Sequence, residues 1–265
     1  AVRVGAVAQP DERRVHERPT PQLGGIAMLA GVAVGMAVAW QMEVFSPVFS
    51  GTTEPLGLLA AAAVILAVGV IDDVIEVSAP AKVAGTVLAA SLLVMAGISI
   101  LNFRIPFAGI VVLSPDFSYL VTVLWVLGMT QAVNLIDGLD GLAAGIVAIA
   151  SGTFFLYSVR LADEGLLLPS TLAPLVAVLV LGACVGFLFH NVHPARIFMG
   201  DGGALLLGLL MAASTAMVGG RTDQEFSGQA YFFFAPLFIP VLILGVPILD
   251  TLWAIIRRAT KRQGV

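Results

Sequence analysis

Eight runs of apolar residues, most close to a membrane span in length, alternate with short polar segments along the chain. They cover about 23–41, 56–71, 81–100, 119–136, 141–161, 171–190, 203–219 and 231–256. A helix crosses the hydrocarbon layer with roughly 20 residues. The runs are apolar on all sides, whereas the strands of a membrane barrel alternate in polarity. The predicted fold class is therefore all-α, a polytopic transmembrane helix bundle of about eight spans. One connecting segment, 102–118 (NFRIPFAGIVVLSPDFS), carries Pro106, Gly109 and β-branched residues between turn signals and predicts a short hairpin.

Composition supports this class. The chain of 265 residues is 59% hydrophobic and 11% charged, against about 25% charged in a soluble domain. So few charges cannot cover a water-facing surface. Cys184, the only cysteine, lies inside an apolar run, forms no intrachain disulfide and is expected to pack. No cleavable signal peptide is visible. The first 20 residues are polar and the last are basic, so the expectation is one integral membrane domain, 1–265, cut from a longer chain at both ends.

Charge changes the picture by giving the bundle an orientation. With alternating spans, one side holds Arg3, Arg13, Arg14, Arg18, Lys82, Arg196, Arg257, Arg258, Lys261 and Arg262, and the other only Arg104, Arg160 and Arg221. The positive-inside rule makes the first side cytoplasmic. The same side collects Asp11, Glu12, Glu17, Asp72, Asp73, Glu76, Asp137, Asp140, Asp201 and Asp250. Carboxylates at membrane depth are costly and usually face a working cavity.

Four clusters carry the candidate chemistry. Asp72 and Asp73 end the second run and Lys82 begins the third. Adjacent carboxylates repel unless a cation or proton lies between them; the alternative is a solvated helix end. Asn134, Asp137 and Asp140 recur every third residue, so a helical turn would set them along one face, and Gly138 and Gly141 let a ligand approach the backbone. The alternative there is a plain turn between spans. His190 at a span end is followed by a loop with His193, Arg196 and Asp201 that enters a helix through glycines, where Asp201 is favoured by the helix dipole; the alternative for both histidines is a structural role. Arg18 precedes Pro19-Thr20-Pro21, a stiff extended entry to the first span, followed by Gly24 and Gly25, which permit close helix packing. It either contacts an anionic substrate or anchors the positive side.

Oxygen ligands mixed with basic residues suit Mg²⁺ and a phosphorylated substrate. No Cys/His set suits zinc, and neither a P-loop nor a GxGxxG after a strand is present. A transporter is the rival class, but its ionisable groups should sit near the bilayer midplane, and here they collect at one face.

The stretches RPTPQLGG (18–25), Asp72-Asp73 with Lys82, NLIDGLDGLAAG (134–145) and HPARIFMGDGGALLLG (193–208) resemble the polyprenyl-phosphate N-acetylhexosamine-1-phosphate transferases. That family includes N-acetylglucosamine-1-phosphate transferases and the phospho-N-acetylmuramoyl-pentapeptide transferase of peptidoglycan synthesis. HPARIFMGD resembles the first branch more, and Val74-Ile75-Glu76 lacks the lysine common in the second. The resemblance also implies a span before the Pro-Thr-Pro segment and a histidine-rich loop beyond residue 265.

It implies an Mg²⁺-dependent enzyme, with Mn²⁺ as an alternative ion. The reaction moves N-acetylglucosamine 1-phosphate from UDP-N-acetylglucosamine to a polyprenyl phosphate, as a first membrane step of cell-envelope polysaccharide synthesis. Asp72, Asp73, Asp137, Asp140 and Lys82 are the expected catalytic residues. Arg18, Asn134, His193, Arg196 and Phe198 would bind substrate, with Phe198 stacking on uracil, and Asp201 would hold the metal. The expected setting is the bacterial inner membrane, multi-pass, with the site on the cytoplasmic face. A homodimer is expected as a partner arrangement, and no nucleic acid.

Overall fold

A computed structural model describes residues 6–8, 19–105 and 109–219, together with Trp253 and Arg257. Two short strands, β1 (Val7–Ala8) and β2 (Thr20–Pro21), pair antiparallel before the first helix. Then come α1 (Gly24–Trp40), a short 3₁₀ turn (Glu43–Phe45) leading into α2 (Ser46–Phe49), α3 (Glu54–Ile75) and α4 (Ala79–Met95). The hairpin β3 (Asn102–Ile105) and β4 (Gly109–Val112) follows, where the sequence predicts one. The remaining helices are α5 (Pro115–Ile136), α6 (Leu142–Asp163), α7 (Ala173–Asn191) and α8 (Gly200–Gly219).

The chain forms helices here because an apolar segment in lipid has no water to satisfy its backbone groups. Proline marks the starts. Pro55, Pro80, Pro115 and Pro174 stand in the first turns of α3, α4, α5 and α7, where a missing N–H costs nothing. Large apolar side chains such as Ile149, Leu156 and Phe189 stay exposed on the outer helix surfaces, as lipid-facing positions do in a multi-pass membrane protein.

α8 is the axis of the bundle. Its apolar stretch is 94% buried, against 33–44% for the other long helices. It packs against α1, α3, α5 and α7. Small residues make this possible. A Cβ on Gly25 would come within 2.6 Å of the Cα of Gly203, and one on Gly69 within 2.6 Å of the backbone carbon of Asp201. At both places two main chains touch, so only glycine fits.

Seven of the eight expected helices are present, and the eighth, 231–256, lies outside the described residues. Among the described residues fewer helices than these seven qualify as full spans. Five helices (α3, α5, α6, α7 and α8) are long and apolar enough to cross a membrane. α1 counts only jointly with Glu43–Phe49, across a 96° bend. α4, with 17 residues, is about 25 Å long, short of the roughly 30 Å hydrocarbon thickness. The chain crosses back and forth so that the starts of α1, α4, α6 and α8 and the ends of α3, α5 and α7 share one face of the bundle.

Candidate active site at one end of the bundle

Three helix termini build the centre of that face. Lys82, in the first turn of α4, is clamped between Asp72 on α3 and Asp201 on α8. Its ammonium contacts Asp72 Oδ2 directly and lies 2.6 Å from Asp201 Oδ2. Asp72 Oδ1 also accepts the backbone N–H of Val77 at 2.7 Å, which closes the end of α3. Asp73 faces another way. Its Oδ1 accepts the N–H of Asp201 at 2.9 Å and its Oδ2 that of Gly202 at 3.3 Å. Consecutive helical residues are rotated by about 100°, so neighbouring carboxylates meet different partners.

The connection from α5 to α6 supplies the next group. α5 stops at Ile136 and Gly141 adopts a left-handed conformation (φ 72°). The expected alignment of Asn134, Asp137 and Asp140 on one helical face is therefore not found: the helix ends at Ile136, and the left-handed Gly141 turns the chain into α6. Asp137 faces inward. Burial first, and then the negative charges of Asp201 and Asp73, push its carboxyl up to about 7. Asp140 turns instead to the loop between α7 and α8, where one oxygen lies 2.9 Å from His193 Nδ1 and accepts the Ala195 N–H at 3.1 Å.

That loop is held on three sides. Asn191, 3% exposed, accepts the Gly141 N–H through Oδ1 at 3.0 Å and donates through Nδ2 to the Ile197 carbonyl at 3.0 Å. The Arg196 N–H donates to the His190 carbonyl at 2.9 Å. The Phe198 N–H donates to Pro21 O, and Phe198 O accepts from Gly24, so the Pro-Thr-Pro entry and the loop pair through their main chains. The Arg196 side chain is exposed, and that of Phe198 is half-buried.

The structure thus gathers Asp72, Asp73, Lys82, Asp137 and Asp201 into one electrostatic unit, and joins Asp140, His193, Arg196 and Phe198 to it through the α7–α8 loop. Asn134 lies in the last turn of α5 beside them, and Arg18 lies outside the described residues. Asn191 was not singled out by sequence reasoning. Its place one residue after His190, at the end of an apolar run, is the only signal it offers.

Among the described residues, no three His, Cys, Asp or Glu side chains form a cage for a metal ion. Mg²⁺ does not require one, since it is commonly bound by one or two carboxylates with substrate phosphates and water. Asp72 and Asp201 fit that demand. They already share a cation, the Lys82 ammonium, and Asp73 and Asp137 bring two further carboxyls within electrostatic reach of Asp201.

Residues 55–219 match the sequence profile of glycosyl transferase family 4. The decaprenyl-phosphate N-acetylglucosaminephosphotransferase of Mycolicibacterium smegmatis is 40% identical over 266 residues, covering 97% of this chain and 65% of the relative. The probable undecaprenyl-phosphate N-acetylglucosaminyl 1-phosphate transferase of Bacillus subtilis is 36% identical over 270 residues, covering 100% of this chain and 67% of the relative. The phospho-N-acetylmuramoyl-pentapeptide-transferase of Desulforudis audaxviator is 35% identical over 266 residues, covering 92% and 72%. The chain thus spans 65% of the mycobacterial relative's length. With the profile covering well over half of it, the chain belongs to glycosyl transferase family 4.

Proposed function

We propose that this chain carries the site of an enzyme that transfers N-acetylglucosamine 1-phosphate from UDP-N-acetylglucosamine to a polyprenyl phosphate. An oxygen of the lipid phosphate attacks the sugar-linked phosphorus. The bond from that phosphorus to the bridging oxygen breaks, and UMP leaves with the bridging oxygen. The lipid product is polyprenyl-diphospho-N-acetylglucosamine. The observation that carries this reading is the convergence of Asp72, Lys82 and Asp201 from three helices at one end of an apolar bundle. An isoprenoid tail can stay in lipid there while its phosphate meets a soluble nucleotide. The decaprenyl- and undecaprenyl-phosphate relatives support the acceptor, and the 40% identity of the mycobacterial one, against 35% for the muramoyl-pentapeptide relative, supports the donor.

The chemical demand is to bring two anions together. Lys82 neutralises phosphate charge. Asp72 orients that ammonium and needs no basic role, because a phosphomonoester with a second pKa near 6 is already largely dianionic at pH 7. Mg²⁺, or Mn²⁺ in its place, would be held by Asp201 and would screen the diphosphate and stabilise the charge on departing UMP. Asn134, Asp137 and Asp140 bind the nucleotide side. Exposed Arg196 and His193 contact the sugar or diphosphate, Phe198 stacks on uracil, and Arg18 contacts an anionic group. The site faces the cytoplasm across the bacterial inner membrane, and the protein works as a homodimer.

The test offers UDP-N-acetylglucosamine and UDP-N-acetylmuramoyl-pentapeptide separately to the purified full-length protein with polyprenyl phosphate, with and without Mg²⁺. UMP should appear with the first donor and only with the metal, and Asp201→Ala should reduce release at least about 100-fold. Transfer of the pentapeptide donor alone would replace this reading with the muramoyl one.

A further inference from the structure

The first turn of an α-helix carries N–H groups with no partner in the helix. In α8 the preceding residue is Met199, whose side chain cannot cap, and the first turn is packed in place, with Met199, Gly200, Gly202 and Gly203 buried. Unpaired donors there would be expensive. The Asp201 and Gly202 N–H groups instead reach the two oxygens of Asp73, which lies 128 residues earlier on another helix. The fit is close. Gly200 stands at φ 69°, and a Cβ there would collide with the Asp73 carboxylate and with the Gln22 carbonyl. The end of α3, the Pro-Thr-Pro entry and the start of α8 therefore meet at one point without room for a side chain.

We infer that Asp73 is a positioning residue: it caps α8 from α3 and thereby fixes the Asp201 carboxylate against Lys82. This rests on the proposed transferase reading for its effect on turnover, but not for its effect on structure. Both Asp73 oxygens accept main-chain N–H groups, so its role in the site is met without a proton transfer. The same commitment closes the α8 N-terminus to phosphate, a ligand that free helix N-termini otherwise bind. Substrate phosphate is therefore left to Lys82, Arg196 and the metal.

Two measurements on the full-length protein decide it. Hydrogen exchange should show the Asp201 and Gly202 amides opening roughly tenfold faster or more in Asp73→Ala, while 205–218 stays protected. Asp73→Asn, which keeps one acceptor oxygen, should lose protection at only one of the two amides. In turnover, Asp73→Asn should keep activity within about tenfold of the parent and need more Mg²⁺ for half-saturation, whereas Asp73→Ala falls much further. Unchanged exchange in both variants overturns the inference, and so does an Asp73→Asn variant that keeps both amides protected yet is as inactive as Asp73→Ala. Should Asp73→Ala fail to fold, Asp73→Asn alone carries both readings. A parent protein that releases no UMP would sink the proposed function, and exchange would still decide the role of Asp73.

Discussion

Asp137 shows how a single carboxyl records its surroundings. It closes α5, and burial together with Asp201 and Asp73 pushes it up to about 7 from an ordinary 3.8. Between these values the folded protein keeps a proton that the unfolded chain has released, so stability falls as pH rises from about 4 to about 7 and then levels off. In metal-free detergent solution, Asp137→Asn should melt at the same temperature as the parent near pH 4 and higher at pH 8. A variant that melts lower at pH 8 would show that the ionised form is the stabilised one. At this scale the sequence marks residue types well and their partners poorly. Asp72 and Asp73 look alike as neighbours in the chain, and only the path of α8 separates a carboxylate that binds Lys82 from one that binds backbone N–H groups. Asn191 was overlooked for the same reason, since its two partners lie at Gly141 and Ile197.

At the level of elements, the apolar runs made seven helices legible, and the turn signals around 102–118 the β3–β4 hairpin. Breaks inside an apolar or polar run were not. The chain bends by 96° between α1 and the short helix after it, and although the apolar run ends at 136 as α5 does, the threefold spacing of Asn134, Asp137 and Asp140 is not carried on a helical face. Both depend on local backbone geometry that periodicity does not encode. The central place of α8 was hinted at only by its glycines, which become decisive where helices cross. Gly69→Ala would force α3 away from the backbone of Asp201 and Gly202, and neither main chain can yield without moving a helix. It should cost about 1–3 kcal/mol and lower the melting temperature in detergent. Gly128→Ala is the control, because open space surrounds that position, and it should be neutral or stabilising by up to about 1 kcal/mol. Equal effects of the two substitutions would show that helix propensity, not backbone contact, governs both.

For the whole molecule, the question is which way the assembled face points. The site gathers on one end of the bundle with Lys82 and Arg196, and the opposite end carries Arg160, paired with Glu164 at 3.2 Å. The sequence alone gave this division through its count of cationic residues on alternating connections, and the helix ends confirm that Asp72, Asp137, Gly141, Asn191 and Asp201 share a side. Topology can be read chemically because Cys184 is fully buried and will not react with a large reagent. Val192→Cys, in the exposed loop on the site face, and Leu168→Cys, exposed on the opposite face, each add one accessible thiol. In intact cells a membrane-impermeant maleimide should label only the Leu168→Cys protein, and permeabilisation should make Val192→Cys equally reactive. The reverse pattern would put the carboxylate cluster outside the cell, away from cytoplasmic UDP-sugars, and the proposed donor would have to be abandoned along with the orientation.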